Sequence, residues 1–170
     1  MNPLLIFGVA LLYRVGIDVR NKILLNRLKK LPKPEPIGVV NPDVVFSKLK
    51  PITYEHCIVY QDGTRILEFE KASYARFFKI DETEKRKFET LYPCQHYTEA
   101  LLIALYAYMP GCIAGSCDIN TQKANHRSLI FYADGEWFFY EPQVDSIFSL
   151  PKDWHIYRVN ITEKSVKAMA

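Results

Sequence analysis

The stretch that decides the fold lies in the C-terminal half of the chain and reads HRSLIFYADGEWFFYEPQ (residues 126–143). Two runs rich in aromatic and aliphatic residues flank the dipeptide Asp134-Gly135, which is a strong signal for a two-residue hairpin turn. Such a turn pairs Ala133 with Glu136 and thereby fixes the register of both strands. The sequence therefore predicts a tight antiparallel hairpin over residues 127–141.

This register sorts the side chains of the hairpin into two faces, because every second residue of a strand points to the same side. On one face the half nearest the turn is apolar, whereas the far half carries His126, Ser128, Glu141 and Gln143. Diagonal neighbours on such a face lie about 7–8 Å apart, so the His126 imidazole and the Glu141 carboxylate can meet. The pair is either an ordinary surface contact or an imidazole oriented by a carboxylate for proton transfer.

A candidate nucleophile, Cys94, stands in the first turn of a predicted helix. Pro93 suits the first helical position, and Pro110-Gly111 ends the helix. The free N–H groups and the dipole at a helix start favour a thiolate. With His126 as base and Glu141 orienting it, Cys94 would attack, and Gln143 or backbone N–H groups would hold the oxyanion. A buried structural cysteine is the alternative.

These motifs resemble the transglutaminase-like and papain-like cysteine-dependent domains. The likeness rests on four segments and covers residues 84–147; they are YPCQHYTEAL (92–101), Asn125-His126, DGEW (134–137) and YEPQ (140–143). In this family the acid is usually Asp, where this chain has Glu141. The resemblance implies an α+β fold in which an antiparallel sheet packs on the helix carrying Cys94. We expect a separate N-terminal helix before this domain.

Two functions from different classes are compatible with these features. The first is a cysteine-dependent hydrolase or acyltransferase that acts on an amide or isopeptide bond of a peptide or protein substrate. The second is a non-catalytic structural or binding module of the same fold, held to a membrane or a larger assembly. No cofactor or metal is expected, because the cysteine and histidine spacings match no zinc motif and no phosphate-binding glycine loop is present.

The N-terminal segment is predicted to be an apolar helix with basic residues, which ends before the prolines at 32, 34 and 36. It lacks the preceding charge and the cleavage site of a secretory signal. Reaching the roughly 20 residues of a bilayer span would take in Arg14 and Asp18. Three interpretations stay open: a short membrane anchor, a helix docked on a partner, and a helix folded onto its own domain. An anchor followed by basic residues would keep the main domain on the cytoplasmic side.

The chain therefore divides into a helix at 1–31, a proline-rich linker at 32–47 and an α+β domain at 48–170. Of its 170 residues, 49% are apolar and 14% are aromatic, which suits a real core. The net charge of +3 is too small and too uneven to indicate nucleic-acid binding. Cys112 and Cys117 are predicted to be free thiols rather than a disulfide. Further predicted elements are a hairpin at 54–70, a strand at 75–80, a helix at 81–91, and strands at 112–117 and 156–161.

Overall fold

The computed structural model describes residues 22–23, 26–49, 53–62, 66–81, 94–120, 125–149 and 155–162. Its helices are α1 (Pro42–Ser47), α2 (Lys71–Asp81) and α3 (Cys94–Tyr108). Its strands are β1 (Gly38–Val39), β2 (Thr53–Asp62), β3 (Leu67–Glu68), β4 (Ala114–Asn120), β5 (Asn125–Ala133), β6 (Glu136–Glu141), β7 (Ser146–Phe148) and β8 (His155–Thr162). Strands therefore make up the largest share of the described residues.

Six of the strands form one sheet in the order β2-β8-β4-β5-β6-β7, and β1 pairs with β3 in a small second sheet. The β2 and β8 strands run parallel, whereas the other pairs of the large sheet are antiparallel. The predicted antiparallel α+β sheet is thus wrong. The first and last strands of the large sheet in sequence, β2 and β8, form a parallel pair at one side of it.

The hairpin formed by β5 and β6 is confirmed, residue for residue, in the predicted register. Ala133 pairs with Glu136, Tyr132 with Trp137 and Ile130 with Phe139. Asp134 and Gly135 both have positive φ, 49° and 80°, as a two-residue turn that follows the twist of the strands requires.

Two other predicted elements are wrong. The hairpin over residues 54–70 does not form, because β2 pairs with β8 and β3 pairs with β1. Residues 75–80 lie in helix α2 rather than in a strand, and the buried positions Tyr74, Phe77, Phe78 and Asp81 recur with helical spacing. The helix predicted for residues 81–91 falls almost wholly outside the described residues.

Helices cover both faces of the large sheet. Helices α2 and α3 pack on the face that carries Leu129, Phe131 and Tyr140. The opposite face carries Ile130 and Phe139 and packs against residues at and just after α1, such as Leu49. The sheet is therefore a central layer with apolar clusters on its two sides.

Aromatic rings make up much of the cluster between the helices and the sheet. The rings of Phe78 and Tyr140 stack with centroids 3.7 Å apart and 6° between their planes. Phe131 stacks on Tyr74 at 4.4 Å and meets Phe78 edge-on at 5.5 Å. Such ring pairs add to the free energy gained from burial alone.

The described part of the N-terminal segment is not separate from this core. Residues 26–28 are helical, and Leu28 is buried in the cluster that α2 and α3 share. The Tyr108 hydroxyl donates to the Pro32 carbonyl oxygen at 3.2 Å. The prediction of a separate N-terminal helix is therefore wrong for these residues, while residues 1–21 lie outside the described part. The segment taken as a linker, 32–47, contains β1 and α1.

Cys112 and Cys117 are buried free thiols, as the sequence predicts. Burial raises the pKa of Cys112 from 9.0 to about 12, so the thiol stays neutral in the core. Burial likewise raises the pKa of Tyr74, whose ring lies beside this thiol.

Candidate functional site

The structure brings three of the four predicted site residues together at one end of the β5–β6 hairpin. The Nε2 atom of His126 lies in hydrogen-bond contact with the Oε2 atom of Glu141, and the two side chains are 22% and 13% exposed. The backbone N–H of Gln143 donates to Oε1 of Glu141 at 3.2 Å. The predicted contact between the imidazole and the carboxylate is thus confirmed. Each carboxylate oxygen of Glu141 contacts one neighbouring residue.

Cys94, the fourth predicted residue, is half-buried at the start of α3. The Thr98 hydroxyl donates to the Cys94 carbonyl oxygen at 3.1 Å and lies 3.5 Å from the carbonyl oxygen of Arg127. The first turn of α3 is therefore fastened to the start of β5, which places the cysteine near Arg127.

Sheet geometry assigns the helix and the His126–Glu141 pair to different faces. Helix α3 covers the face on which Leu129 and Phe131 lie. His126 is an odd number of residues from both, so its side chain belongs to the opposite face, which Ile130 shares. This register therefore does not favour the convergence of Cys94, His126 and Glu141 that a thiol-dependent triad requires.

A cleft lies on the α3 side of the sheet, where helix α3 leaves part of β4, β5 and β8 uncovered. Its volume is about 300 Å³, at the lower limit for pockets that hold small molecules. Its polar lining comes from four elements and consists of Glu99, Ser116, Arg127 and Asn160. Its apolar lining consists of Leu102, Ile103 and Tyr106.

The Arg127 guanidinium is the most strongly held charged group of the cleft. Its Nε and Nη2 atoms donate to the two carboxylate oxygens of Asp118 at 2.5 and 3.0 Å. Its Nη1 atom donates to Glu99 Oε1 at 3.2 Å. The hydrogen bonds to Asp118 raise the pKa of Arg127 and outweigh the lowering by burial. Arg127 is therefore a cation at neutral pH.

Asp118 holds this arrangement from beneath the cleft. Its side chain is 8% exposed, and besides Arg127 it lies 3.8 Å from the Nη1 atom of Arg158. A bidentate pair of this kind fixes the plane of the guanidinium as well as its position. Asp118 and Arg127 are direct partners in the β4–β5 register, which is what brings them into contact.

Sequence reasoning missed the residues of the cleft. Glu99, Ser116, Arg127 and Asn160 come from four different elements, and no local motif joins them. One signal was available, since opposite charges directly across two strands stabilise their pairing and Asp118 and Arg127 form such a pair. Using it required the pairing of β4 with β5, and the predicted strand at 112–117 ended before Asp118.

The described residues give no support for a metal site or a spanning helix. Within them, no group of three or more histidine, cysteine, aspartate or glutamate side chains is arranged to hold a metal ion. No helix in the same part of the chain has the length and apolar character needed to cross a bilayer.

Comparisons with known proteins identify the fold. No family model matches the chain, and no curated protein sequence matches it. The solved structure of PSL1a in complex with E64 matches with a TM-score of 0.63 and 13% identity, over 72% of this chain and 51% of that one. A Polyporus squamosus lectin structure, bound to the epitope Neu5Acα2-6Galβ1-4GlcNAc, matches with a TM-score of 0.57 and 11% identity, over 69% and 46%. The chain thus spans about half the length of these proteins and shares their fold.

This comparison corrects the predicted family and function. Two of the structures that share the fold are those of PSL1a and of Polyporus squamosus lectin, and with them the transglutaminase-like and papain-like assignment is wrong. The prediction of a cysteine-dependent hydrolase or acyltransferase depended on that assignment and is overturned with it.

Proposed function

We propose that this chain is a binding module for carbohydrate, and that the sugar occupies the cleft between α3 and the sheet. The observation that carries this proposal is the lining of the cleft, which combines four polar side chains from α3 and three strands with apolar side chains of α3. The likeness to lectin structures supports the ligand class. That support comes from the fold alone, and we infer the position of the site from the residues of this chain.

The chemistry of the lining suits a sugar. A hydroxyl group both donates and accepts, so its site needs partners of both kinds. Arg127 can only donate and a Glu99 carboxylate can only accept, whereas the Asn160 amide can do both. The aliphatic C–H face of a sugar ring can pack on Leu102 and Ile103, which line the same cleft. A ligand that is polar at its edges and apolar on its face therefore fits.

Of the four residues singled out in the sequence, Cys94 lies nearest to this proposed site. Arg127 lines the cleft, and its backbone lies against the first turn of α3, which Cys94 begins. A ligand longer than one sugar ring would reach Cys94 at the start of α3, whereas His126 and Glu141 lie on the opposite face of the sheet. In this proposal Cys94 contacts ligand and breaks no bond.

We also propose that residues 1–31 attach the module to a membrane or a larger assembly, with the main domain on the cytoplasmic side. The basic residues beside the apolar run support this attachment.

Deleting residues 1–21 is expected to abolish the attachment while the module stays folded. Deleting 1–31 also removes Leu28 from the core and is expected to lower the free energy of unfolding by about 2–5 kcal/mol. Flotation with liposomes and denaturant titration measure the two effects. Attachment that survives the shorter deletion would contradict the proposal.

The proposed binding site is tested by replacing Asn160, which is exposed and lines the cleft. We expect Asn160→Ala to weaken binding of the sugar about 5-fold, since it removes a hydrogen bond worth about 1 kcal/mol. Isothermal titration with glycans selected on an array, neutral and acidic, measures the change. Asn120→Ala is the matched control, because Asn120 is equally an exposed strand asparagine but does not line the cleft.

Two results would contradict the proposal. One is an array on which no glycan binds the folded protein. The other is a glycan whose affinity falls equally in Asn160→Ala and Asn120→Ala, because binding would then lie elsewhere or depend on the general stability of the sheet.

A further inference from the structure

We propose that the cleft selects carboxylate-bearing sugars, and that Glu99 occupies the place of the sugar carboxylate when no ligand is bound. This inference rests on the proposed carbohydrate site and names the chemical class of its ligand. It follows from the way in which the two acidic partners of Arg127 differ.

The guanidinium of Arg127 has two edges with different partners. The edge formed by Nε and Nη2 is taken by Asp118 in a bidentate pair. The remaining N–H groups lie on Nη1 and on the outer side of Nη2, and of these Nη1 donates to Glu99 at 3.2 Å. A guanidinium has five N–H donors, so this outer edge can accommodate a second carboxylate.

The two carboxylates are held with unequal strength. Asp118 is 8% exposed on its side chain and comes from a strand paired directly with β5. Glu99 is 50% exposed, reaches across from α3 and makes one longer contact. An exposed ion pair contributes little to stability, so Glu99 can be displaced at small cost while Asp118 stays.

The charges around the cleft favour this reading over a neutral ligand. Arg127 and Arg158 supply two cations, Asp118 lies against both of them, and Glu99 contacts the outer edge of Arg127. When Glu99 swings away, the outer edge of Arg127 is left facing the cavity. A uronic or sialic acid supplies the carboxylate that restores the pair, and its hydroxyl groups meet Asn160 and Ser116.

The test uses two ligands that differ only in the carboxylate, methyl β-glucuronide and methyl β-glucoside, with the intact chain and Glu99→Gln. The intact chain is expected to bind the glucuronide more tightly than the glucoside. Glu99→Gln is expected to raise the affinity for the glucuronide about 2- to 5-fold, because it removes a competing anion. Its affinity for the glucoside is expected to stay unchanged or to fall slightly. Glu136→Gln, at an exposed position of the hairpin turn, is the matched control and is expected to change neither affinity.

The outcomes separate this inference from the function on which it rests. Equal affinity for the two ligands, or weaker glucuronide binding by Glu99→Gln, overturns the carboxylate selection and leaves a carbohydrate site with Glu99 as an acceptor for hydroxyls. Binding of neither ligand nor of any arrayed glycan overturns both. If Glu136→Gln also bound the glucuronide more tightly, the gain in affinity would come from the change in the net charge of the protein. This result would also overturn the inference.

Discussion

Replacing Phe131 with alanine is expected to lower the free energy of unfolding by about 3–5 kcal/mol. Phe131 is fully buried on the α3 side of the sheet, where its ring lies 4.4 Å from Tyr74, 5.5 Å from Phe78 and 5.6 Å from Phe138. Removing it leaves a cavity among aromatic rings that belong to helix α2 and strand β6. Denaturant titration followed by circular dichroism measures the loss.

Phe148→Ala is the matched control, because Phe148 lies on the edge strand β7 and is only partly buried. Its ring is 5.8 Å from Phe139 and borders the opposite cluster. We expect a loss of about 1–2 kcal/mol there, since a partly exposed ring gives up less burial. Equal losses in the two variants would show that the rings around Phe131 do not form the main core.

Replacing Asp118 with alanine is expected to lower stability by about 2–3 kcal/mol and to weaken binding of the proposed ligand at least 10-fold. The stability loss has a direct cause, because the half-buried Arg127 guanidinium loses the partner of two of its donors. The loss is smaller than that of a fully buried pair, since the side chain of Arg127 is 20% exposed and partly solvated. Binding falls because the guanidinium is no longer held towards the cleft.

Arg158→Ala separates the two effects of Asp118. Arg158 is half-exposed and its Nη1 lies 3.8 Å from Asp118, so its removal is expected to cost less than about 1 kcal/mol. Measuring both variants by denaturant titration and by glycan titration checks the prediction. If Asp118→Ala were as mild as Arg158→Ala in both measurements, Asp118 would not position Arg127.

The parts of the fold that could be predicted from sequence are those set by local signals. The Asp134-Gly135 turn determines the register of β5 and β6 without reference to the rest of the chain, and that register brings His126 to Glu141. The helix that ends before Pro110-Gly111 was equally readable, because its apolar residues keep helical spacing over four turns.

The parts that were missed depend on pairings between distant segments. Strand β2 finds its parallel partner β8 about a hundred residues later, and nothing local marks that pairing. In α2 the aromatic residues suggested a strand, although the spacing of Tyr74, Phe77 and Phe78 is that of a helix face. The cleft was missed for the same reason as the parallel pair, because its lining forms only when β4, β5 and β8 lie side by side.

The predicted thiol site shows how a correct contact can support a wrong function. The contact of His126 with Glu141 forms as expected, but the neighbouring residue Arg127 lies on the face that α3 covers. His126 and Arg127 are consecutive in β5 and therefore face opposite sides of the sheet. A shift of one residue would have turned the histidine, rather than the arginine, towards Cys94. The sequence motif alone did not distinguish these two arrangements.

The central claim is that the cleft between α3 and the sheet holds a sugar, and chemical-shift mapping tests it most directly. The ¹⁵N-labelled chain is titrated with the tightest glycan from the array while backbone amide shifts are followed. We expect the largest shifts at Glu99, Ser116, Arg127 and Asn160, with little change at Gly135 and Glu136 in the hairpin turn. Shifts that spare these four residues and gather elsewhere on the module would contradict it.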